Sequence, residues 1–493
     1  MILAAGLRLI MLDLKAPHFD EGVNGWFADR LRETGTFAYV ADNFHGPWHF
    51  YTVFIFQELL GRNLWSIRLP AVLASLLTIP TLFLFSRWFG REAARWAGVA
   101  FAVSASGVFY SRYSIHEPWF VLFTVLFSWG VIALWLERSR AGLWASVLGL
   151  TGMMLNKETY LLHLGSMALA GGILAGWGKI SSLHPPLNRA RERTWKPRDA
   201  AKAGAVAFFL LLFFYSGNFF HPAGLWGPFE AISAWIQTGA EGQGHEKTAY
   251  EILPWINYYW LALLARYEWP ALAGLIWSVS YAWPSPAAPR LIAILGGGVL
   301  LAYSLVPYKT PWCMASLTWP WFLFFGAAIA TSGKWWVRLF GLLLLTTSIG
   351  MTIQLNFFQY ENDAEPYVYV QTYRELDTLT QPLLRLSEAN PQWKETAGAV
   401  YLESYYPLPW ILGDFPNIGY HGGEIPPETP IADFHVIEAA KADDLRVILG
   451  PDFEEYRFRL RSGMEECVVF FSDQLLMAQQ NLKNQPKPRR GEP

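Results

Sequence analysis

Apolar and polar stretches alternate along most of this 493-residue chain. Apolar runs occupy about residues 1–14, 69–86, 96–111, 119–136, 142–156, 160–177, 203–219, 270–283, 291–306, 314–332 and 336–355. A helix needs about 20 mainly apolar residues to cross a bilayer. The pattern therefore predicts about eleven membrane spans, several of them short or broken. The first run carries Arg8 and Asp13 and no small-residue cleavage site, so it does not read as a signal peptide. Its length predicts either a stunted first helix or a helix that begins before Met1.

Two polar regions interrupt the series. Residues 15–68 are too many for a turn. Within them, 22–33 predicts an amphipathic helix lying on the membrane, Thr34-Gly35-Thr36 breaks it, and 49–60 predicts a second helix. From residue 357 charged residues become frequent. Strands are expected at 367–371, 399–402, 434–437, 445–449 and 467–471, with a helix over 372–388. Strands alternating with helices predict a small α/β domain. The expected architecture is thus a polytopic α-helical membrane domain over 1–356, a soluble α/β domain over 357–482, and a disordered tail at 483–493.

Composition supports this division. The chain is 53% hydrophobic and 16% charged, against about 25% charged in soluble proteins. It has no basic domain, which argues against a nucleic-acid partner. Cys313 and Cys467 are the two cysteines; they lie far apart and imply no disulfide framework.

Charge then orients the spans. Arg87, Arg91 and Arg95, then Arg138 and Arg140, fall in loops of one parity. So do Lys179, Arg189, Arg191, Arg193, Lys196, Arg198 and Lys202, and later Arg290, Lys334 and Arg338. Loops rich in Lys and Arg face the cytoplasm. This predicts a multi-pass protein of the cytoplasmic (inner) membrane with its C-terminal domain outside.

The opposite face collects His18, Asp20, Glu21, His45, Arg112, His116, Glu117, Lys157, Glu158, His245, Glu268 and Lys309. Ionisable groups at membrane depth are costly and by default point to function. Any one of them also fits a snorkelling anchor. Asp20-Glu21, just after an apolar run, has two readings. One carboxylate can serve as a general base, or the pair can simply favour a helix N-terminus. Arg112, Lys157 and Lys309 each end an apolar run, where a cation suits a phosphate leaving group. His18, His45, His116, Asp20 and Glu117 offer ligands for a divalent metal, a candidate cofactor, although no tight ligand spacing appears.

These motifs occur in a telling order. Leu7-Arg8-Leu9 leads to His18-Phe19-Asp20-Glu21, then Asn43-Phe44-His45-Gly46-Pro47. Ser111-Arg112-Tyr113 with Glu117, Asn156-Lys157-Glu158-Thr159 and Tyr308-Lys309-Thr310-Pro311-Trp312 follow. The set resembles GT-C fold glycosyltransferases of the protein O-mannosyltransferase and aminoarabinose-transferase type. It is most similar to the flippase-activity-associated branch of archaea and some bacteria, which shares a Tyr367-Val368-Tyr369-Val370-Gln371 segment and Pro407-Leu408-Pro409-Trp410. Glu117 stands where relatives often place an aspartate.

The resemblance implies a membrane glycosyltransferase. A polyprenyl-phosphate sugar donor docks from the membrane lipid, and the sugar passes with inversion to a protein, glycan or lipid acceptor outside. Asp20 is the implied catalytic base, and Glu21 supports it or binds acceptor or metal. Arg112, Lys309 and Lys157 are the implied phosphate ligands, and His18, His45, Glu117 and Tyr308 further substrate-binding residues. The competing reading is a non-catalytic accessory protein or transporter that helps lipid-linked sugars across the membrane. Ion sites near mid-bilayer would mark a transporter, whereas here the acid pair and the cations share one predicted face.

Overall fold

The computed structural model describes residues 1–41, 45–180, 193–242, 245 and 257–484, with side chains omitted at 177–180. Asn43 and Phe44, the loop charges Arg189 and Arg191, and residues 485–493 of the expected tail lie outside the described residues, as does the side chain of Lys179. The chain forms two compact units. One comprises Met1–Leu12 and Phe27–Tyr367, the other Asp13–Trp26 and Val368–Pro493. The segment carrying Asp20 thus belongs with the C-terminal part, which the sequence pattern did not suggest.

In the first unit all eleven apolar runs are helical in whole or in part. Five helices are long and apolar enough to cross a membrane: Leu64–Phe89, Glu117–Glu137, Ala287–Leu305, Pro311–Thr331 and Trp335–Phe358. Tyr160–Gly176 is a shorter apolar helix. Eleven full-length spans are therefore not counted among the described residues. The first run forms only Ile2–Leu9. The third is split into Arg91–Ala102 and Ala105–Phe109.

That split is stabilised at both broken ends. Backbone groups exposed at membrane depth must find partners inside the protein. The Arg8 guanidinium donates to the Ala102 and Phe101 carbonyls at 2.9 and 3.3 Å. On the other side, buried Glu268 accepts from the Ser106 N–H at 2.6 Å and from Ser104 Oγ at 2.9 Å. Cation at a C-terminus and anion at an N-terminus both complement the helix dipole. Glu268 therefore reads as a structural cap.

In the long first loop, helices Phe19–Thr34 and Trp48–Leu60 match the two expected, and Gly35 with φ 70° ends the first.

The second unit holds a five-stranded sheet of order β2-β1-β3-β5-β4. The strands are β1 (Gly398–Val400), β2 (Ile418–Tyr420), β3 (Phe434–Glu438), β4 (Phe453–Arg459) and β5 (Glu466–Ser472). β1 runs parallel to β2 and β3, whereas β5 is antiparallel to β3 and β4. β5 is buried on both faces, so it reads as a continuous apolar run. Its Cys467, Val469 and Phe471 pack with Leu376, Leu379, Leu383 and Leu386, while Val468 and Phe470 pack with Ala442 and Leu445 on the other face. Each fully buried leucine contributes about 1.5–3 kcal/mol.

Two expected strands are corrected. Residues 445–449 belong to helix Ala442–Leu449, whose first turn holds Asp443 and Asp444, favourable at a helix N-terminus. Residues 367–371 form an irregular segment rather than a strand. Val370 stands at φ 53°, a left-handed conformation that breaks an extended run. Pairing resumes at Thr372, which bridges Arg461. β2 and β4 escaped the sequence reading because both are edge strands. β4 alternates Glu454, Glu455, Arg457 and Arg459 with rings, as exposed edges do. Residues 483 and 484, expected in the tail, close helix Asp473–Asn484.

Candidate active site

Four chain segments of the first unit, around residues 45, 157–162, 235 and 303–313, converge on a cleft of about 490 Å³, open solvent at its mouth included. It is lined by His45, Lys157, Glu158, Thr159, Tyr303, Tyr308, Thr310 and Cys313, among others. Backbone pairing brings the first two segments together. His45 bridges Lys157, Gly46 N–H donates to the Asn156 carbonyl at 3.2 Å, and Trp48 N–H to that of Leu155 at 3.0 Å. A Cβ on Gly46 would lie 2.2 Å from the Leu155 carbonyl, so only glycine permits this approach. Asn156 Nδ2 then donates to the His116 carbonyl at 2.8 Å, tying the start of helix Glu117–Glu137 to the same corner.

The charges of the cleft are arranged in pairs. Lys157 Nζ donates to Glu117 Oε1 at 2.6 Å, with both side chains buried. Burial alone would lower the Lys157 pKa, but Glu117 holds it above its usual value. Glu158 Oε2 lies 3.4 Å from His45 Nδ1. Burial pushes the Glu158 carboxyl well up and the His45 imidazole down to about 3. That corner therefore sets an acid–imidazole pair, in which burial disfavours both charged forms, beside a lysine held by Glu117.

Lys309 stands in the chain between Tyr308 and Thr310, which line the cleft. Its ammonium donates to the carbonyls of Tyr303, Ser304 and Val306 at 3.0, 2.5 and 2.5 Å, closing the end of helix Ala287–Leu305. Burial lowers its pKa to about 8. Next to it, Tyr259 OH donates to the Thr310 carbonyl at 3.1 Å and accepts from Thr310 N–H at 3.2 Å. Arg112 is elsewhere in this unit. Its Nη1 and Nη2 donate to the carbonyls of Leu7, Arg8, Ile10 and Met11 at 2.6–3.2 Å, and the guanidinium lies 4.7 Å from the Phe357 ring centroid. Of the expected phosphate ligands, Lys157 thus lines the cleft, while Lys309 and Arg112 are bonded to main-chain carbonyls.

His18, Asp20 and Glu21 belong to the second unit. They build the start of helix Phe19–Thr34 as a reciprocal cap. Glu21 Oε2 accepts from His18 N–H at 2.9 Å, and His18 Nδ1 accepts from Asp20 N–H at 3.1 Å. His18 Nε2 then donates to the Tyr369 carbonyl at 2.9 Å, a tautomer assigned from its partners. Glu21 is fully buried, whereas the Asp20 side chain is 36% exposed. The helix-start reading of the acid pair is thereby realised, and Asp20 is its open member.

The suggested metal ligands of the first unit, His45, His116 and Glu117, have other neighbours. The His45 and His116 ring centroids lie 4.6 Å apart with the planes tilted by 46°, those of His116 and His49 4.7 Å apart and tilted by 53°, and Glu117 is engaged by Lys157. Among the described residues, no three His, Cys, Asp or Glu side chains converge. Sequence reasoning gave no role to Glu158, Thr310, Cys313 or Tyr303. Glu158 and Thr310 stood inside quoted motifs, but Tyr303 and Cys313 carried no signal beyond apolar surroundings.

Residues 44–185 match the family model of dolichyl-phosphate-mannose-protein mannosyltransferases. Among curated proteins, none matches the chain. ArnT from Cupriavidus metallidurans, solved bound to undecaprenyl phosphate, is similar over 96% of this chain and 97% of its own, with TM-score 0.58 at 14% identity. Its apo form is similar over 96% and 98%, with TM-score 0.57 at 13% identity. The oligosaccharyltransferase of Archaeoglobus fulgidus, solved with Zn and sulfate, is similar over 85% of this chain and 61% of its own, with TM-score 0.51 at 13% identity. The fold is that of GT-C glycosyltransferases of the mannosyltransferase and ArnT type, a multi-pass membrane architecture.

Proposed function

We propose that this chain, a glycosyltransferase of the GT-C type, transfers a sugar from a polyprenyl-phosphate donor to an acceptor hydroxyl at the extracytoplasmic face. The observation that carries the reading is the polar cleft around Lys157, Glu158 and His45, in a fold similar to that of a protein solved with undecaprenyl phosphate. The acceptor oxygen bonds to the anomeric carbon as the carbon–oxygen bond to phosphate breaks, with inversion. Asp20 takes the hydroxyl proton, with Glu21 and His18 fixing the turn that presents it.

The departing polyprenyl phosphate needs cations. Lys157 keeps its charge through Glu117 and suits that role. Lys309 and Arg112 join it by exchanging carbonyl partners for phosphate oxygens. His45, Glu117 and Tyr308 shape the donor subsite. The acceptor is a protein, glycan or lipid, and the C-terminal domain lies outside the inner membrane. Purified protein in lipid nanodiscs, given polyprenyl phosphates bearing labelled sugars, is expected to move label to an acceptor with inverted anomeric configuration. Retained configuration would contradict the mechanism. Absence of transfer, with the gene's growth phenotype rescued by Asp20→Asn, would favour the accessory role.

A further inference from the structure

The second unit joins the Asp20 segment to the C-terminal domain through specific contacts. We propose that Arg461, on the C-terminal domain, is a positioning residue for Asp20, which makes that domain part of the catalytic apparatus. This rests on the reading of Asp20 as the base.

The geometry begins with the helix that carries the acid. Phe19, Gly22 and Gly25 recur every third residue, so they share one face. That face lies directly on the loop 404–410. A Cβ on Gly22 would fall 2.5 Å from Pro407 Cα, and one on Gly25 would fall 2.4 Å from the Trp410 ring. Phe19 meets the Tyr406 ring edge-on at 5.6 Å. The helix backbone therefore rests on the domain with no side chain between them at Gly22 and Gly25. Gln371 adds a bond from its amide to the Ala16 carbonyl at 3.4 Å.

Arg461 organises the same corner. It is 6% exposed. Its Nη1 donates to the Tyr406 carbonyl at 3.1 Å and its Nη2 to the Ser404 carbonyl at 3.3 Å, with a further bond to the Ser404 hydroxyl. One guanidinium thereby shapes the loop on which the helix rests. Its central carbon lies 4.5 Å from the Phe19 ring centroid, so it also holds the residue next to Asp20. Burial lowers the Arg461 pKa to about 10, and the charge of Asp20 works against that fall. The cation therefore lies within reach of the charge of Asp20, whose side chain keeps an open side toward solvent.

A lysine at 461 retains the charge and part of the bonding, whereas glutamine retains neither charge nor stacking cation. The test uses the full chain in nanodiscs, with kcat and donor KM measured for wild type, Arg461→Gln, Arg461→Lys and Phe19→Leu. Arg461→Gln is expected to lower kcat by about tenfold or more, since small misplacement of a reacting group costs up to roughly a hundredfold. Donor KM is expected to stay near wild type, and Arg461→Lys to recover much of kcat. Phe19→Leu, which removes the ring but leaves the arginine, is expected to lower kcat more mildly, and serves if Arg461→Gln does not fold. Wild-type kcat in Arg461→Gln, or in Phe19→Leu where only that variant folds, would overturn the proposal. So would a loss confined to donor KM. Wild-type transfer by Asp20→Asn would instead overturn the assignment of the base.

Discussion

Lys157 and Arg112 are both buried cations placed just beyond an apolar run, yet they do different work. Lys157 faces one carboxylate, Glu117, and lines an open cleft. Arg112 faces four main-chain carbonyls at the end of helix Ile2–Leu9. Lys309 is intermediate, bonded to three carbonyls but adjacent to the cleft-lining Tyr308 and Thr310. A carboxylate partner fixes a buried cation's charge. Carbonyl partners fix its position and favour the charged form through their dipoles, but supply no counter-charge to offset burial.

The sharpest way to break this contrast is Glu117→Gln. It leaves Lys157 buried without its counter-charge, and removing one partner of a buried pair costs about 3–5 kcal/mol. The thermal midpoint in mild detergent is expected to fall accordingly. Adding Lys157→Met to the same chain is expected to restore most of the stability but not transfer. A second fall of equal size would mean that the two side chains do not act as a pair.

Next in size is Arg112→Met. It removes a cap whose charged hydrogen bonds are worth roughly 2–3 kcal/mol together. The loss is expected to appear in stability, with donor KM rising as well if Arg112 also meets phosphate. An unchanged KM at reduced stability would confine Arg112 to the cap.

Gly46→Ala probes the corner that holds Lys157 in place. Its Cβ would meet the Leu155 carbonyl at 2.2 Å, and such overpacking costs about 1–3 kcal/mol. Thermal stability and donor KM are both expected to worsen. Wild-type values in both would mean that the 45–48 segment does not need this close approach.

The mildest effect is a pH dependence at Lys309. Its folded pKa is about 8, below the ordinary 10.5. Between these values the unfolded chain binds the proton that the folded chain has lost. Stability is therefore expected to rise with pH over that window. Phosphate binding by the cation has the opposite trend, so donor affinity is expected to weaken as pH rises through about 8. A guanidinium in place of the ammonium stays charged across this range. The Lys309→Arg variant is therefore expected to flatten the affinity profile. An unchanged profile would assign the trend to another group.

Much of the architecture was legible in the sequence because burial in lipid writes long apolar runs. All eleven runs became helices in whole or in part, and Cys467–Phe471 became the core of the interior strand β5. What was illegible depended on partners distant in the chain. The break at Val103-Ser104 is held by Arg8 and Glu268, which no local pattern connects. The 445–449 run resembled a strand because Leu445, Val447, Ile448 and Leu449 are apolar. Of these, Leu445 is fully buried, while Val447 and Ile448 are exposed on a helix. The same limit applied to chemistry. Lys157 and His45 were visible as motif residues, but their pairing with Glu117 and Glu158 needed the fold. Arg461, remote in sequence from Asp20, carried no signal at all.

The most direct measurement is single-turnover transfer of labelled sugar from a polyprenyl-phosphate donor, comparing wild type with Asp20→Asn at equal folded concentration in nanodiscs. A positioned general base contributes about 10²–10⁴-fold. A rate lower by that factor, with donor affinity retained, is the expected result. Transfer by Asp20→Asn at the wild-type rate would contradict the account.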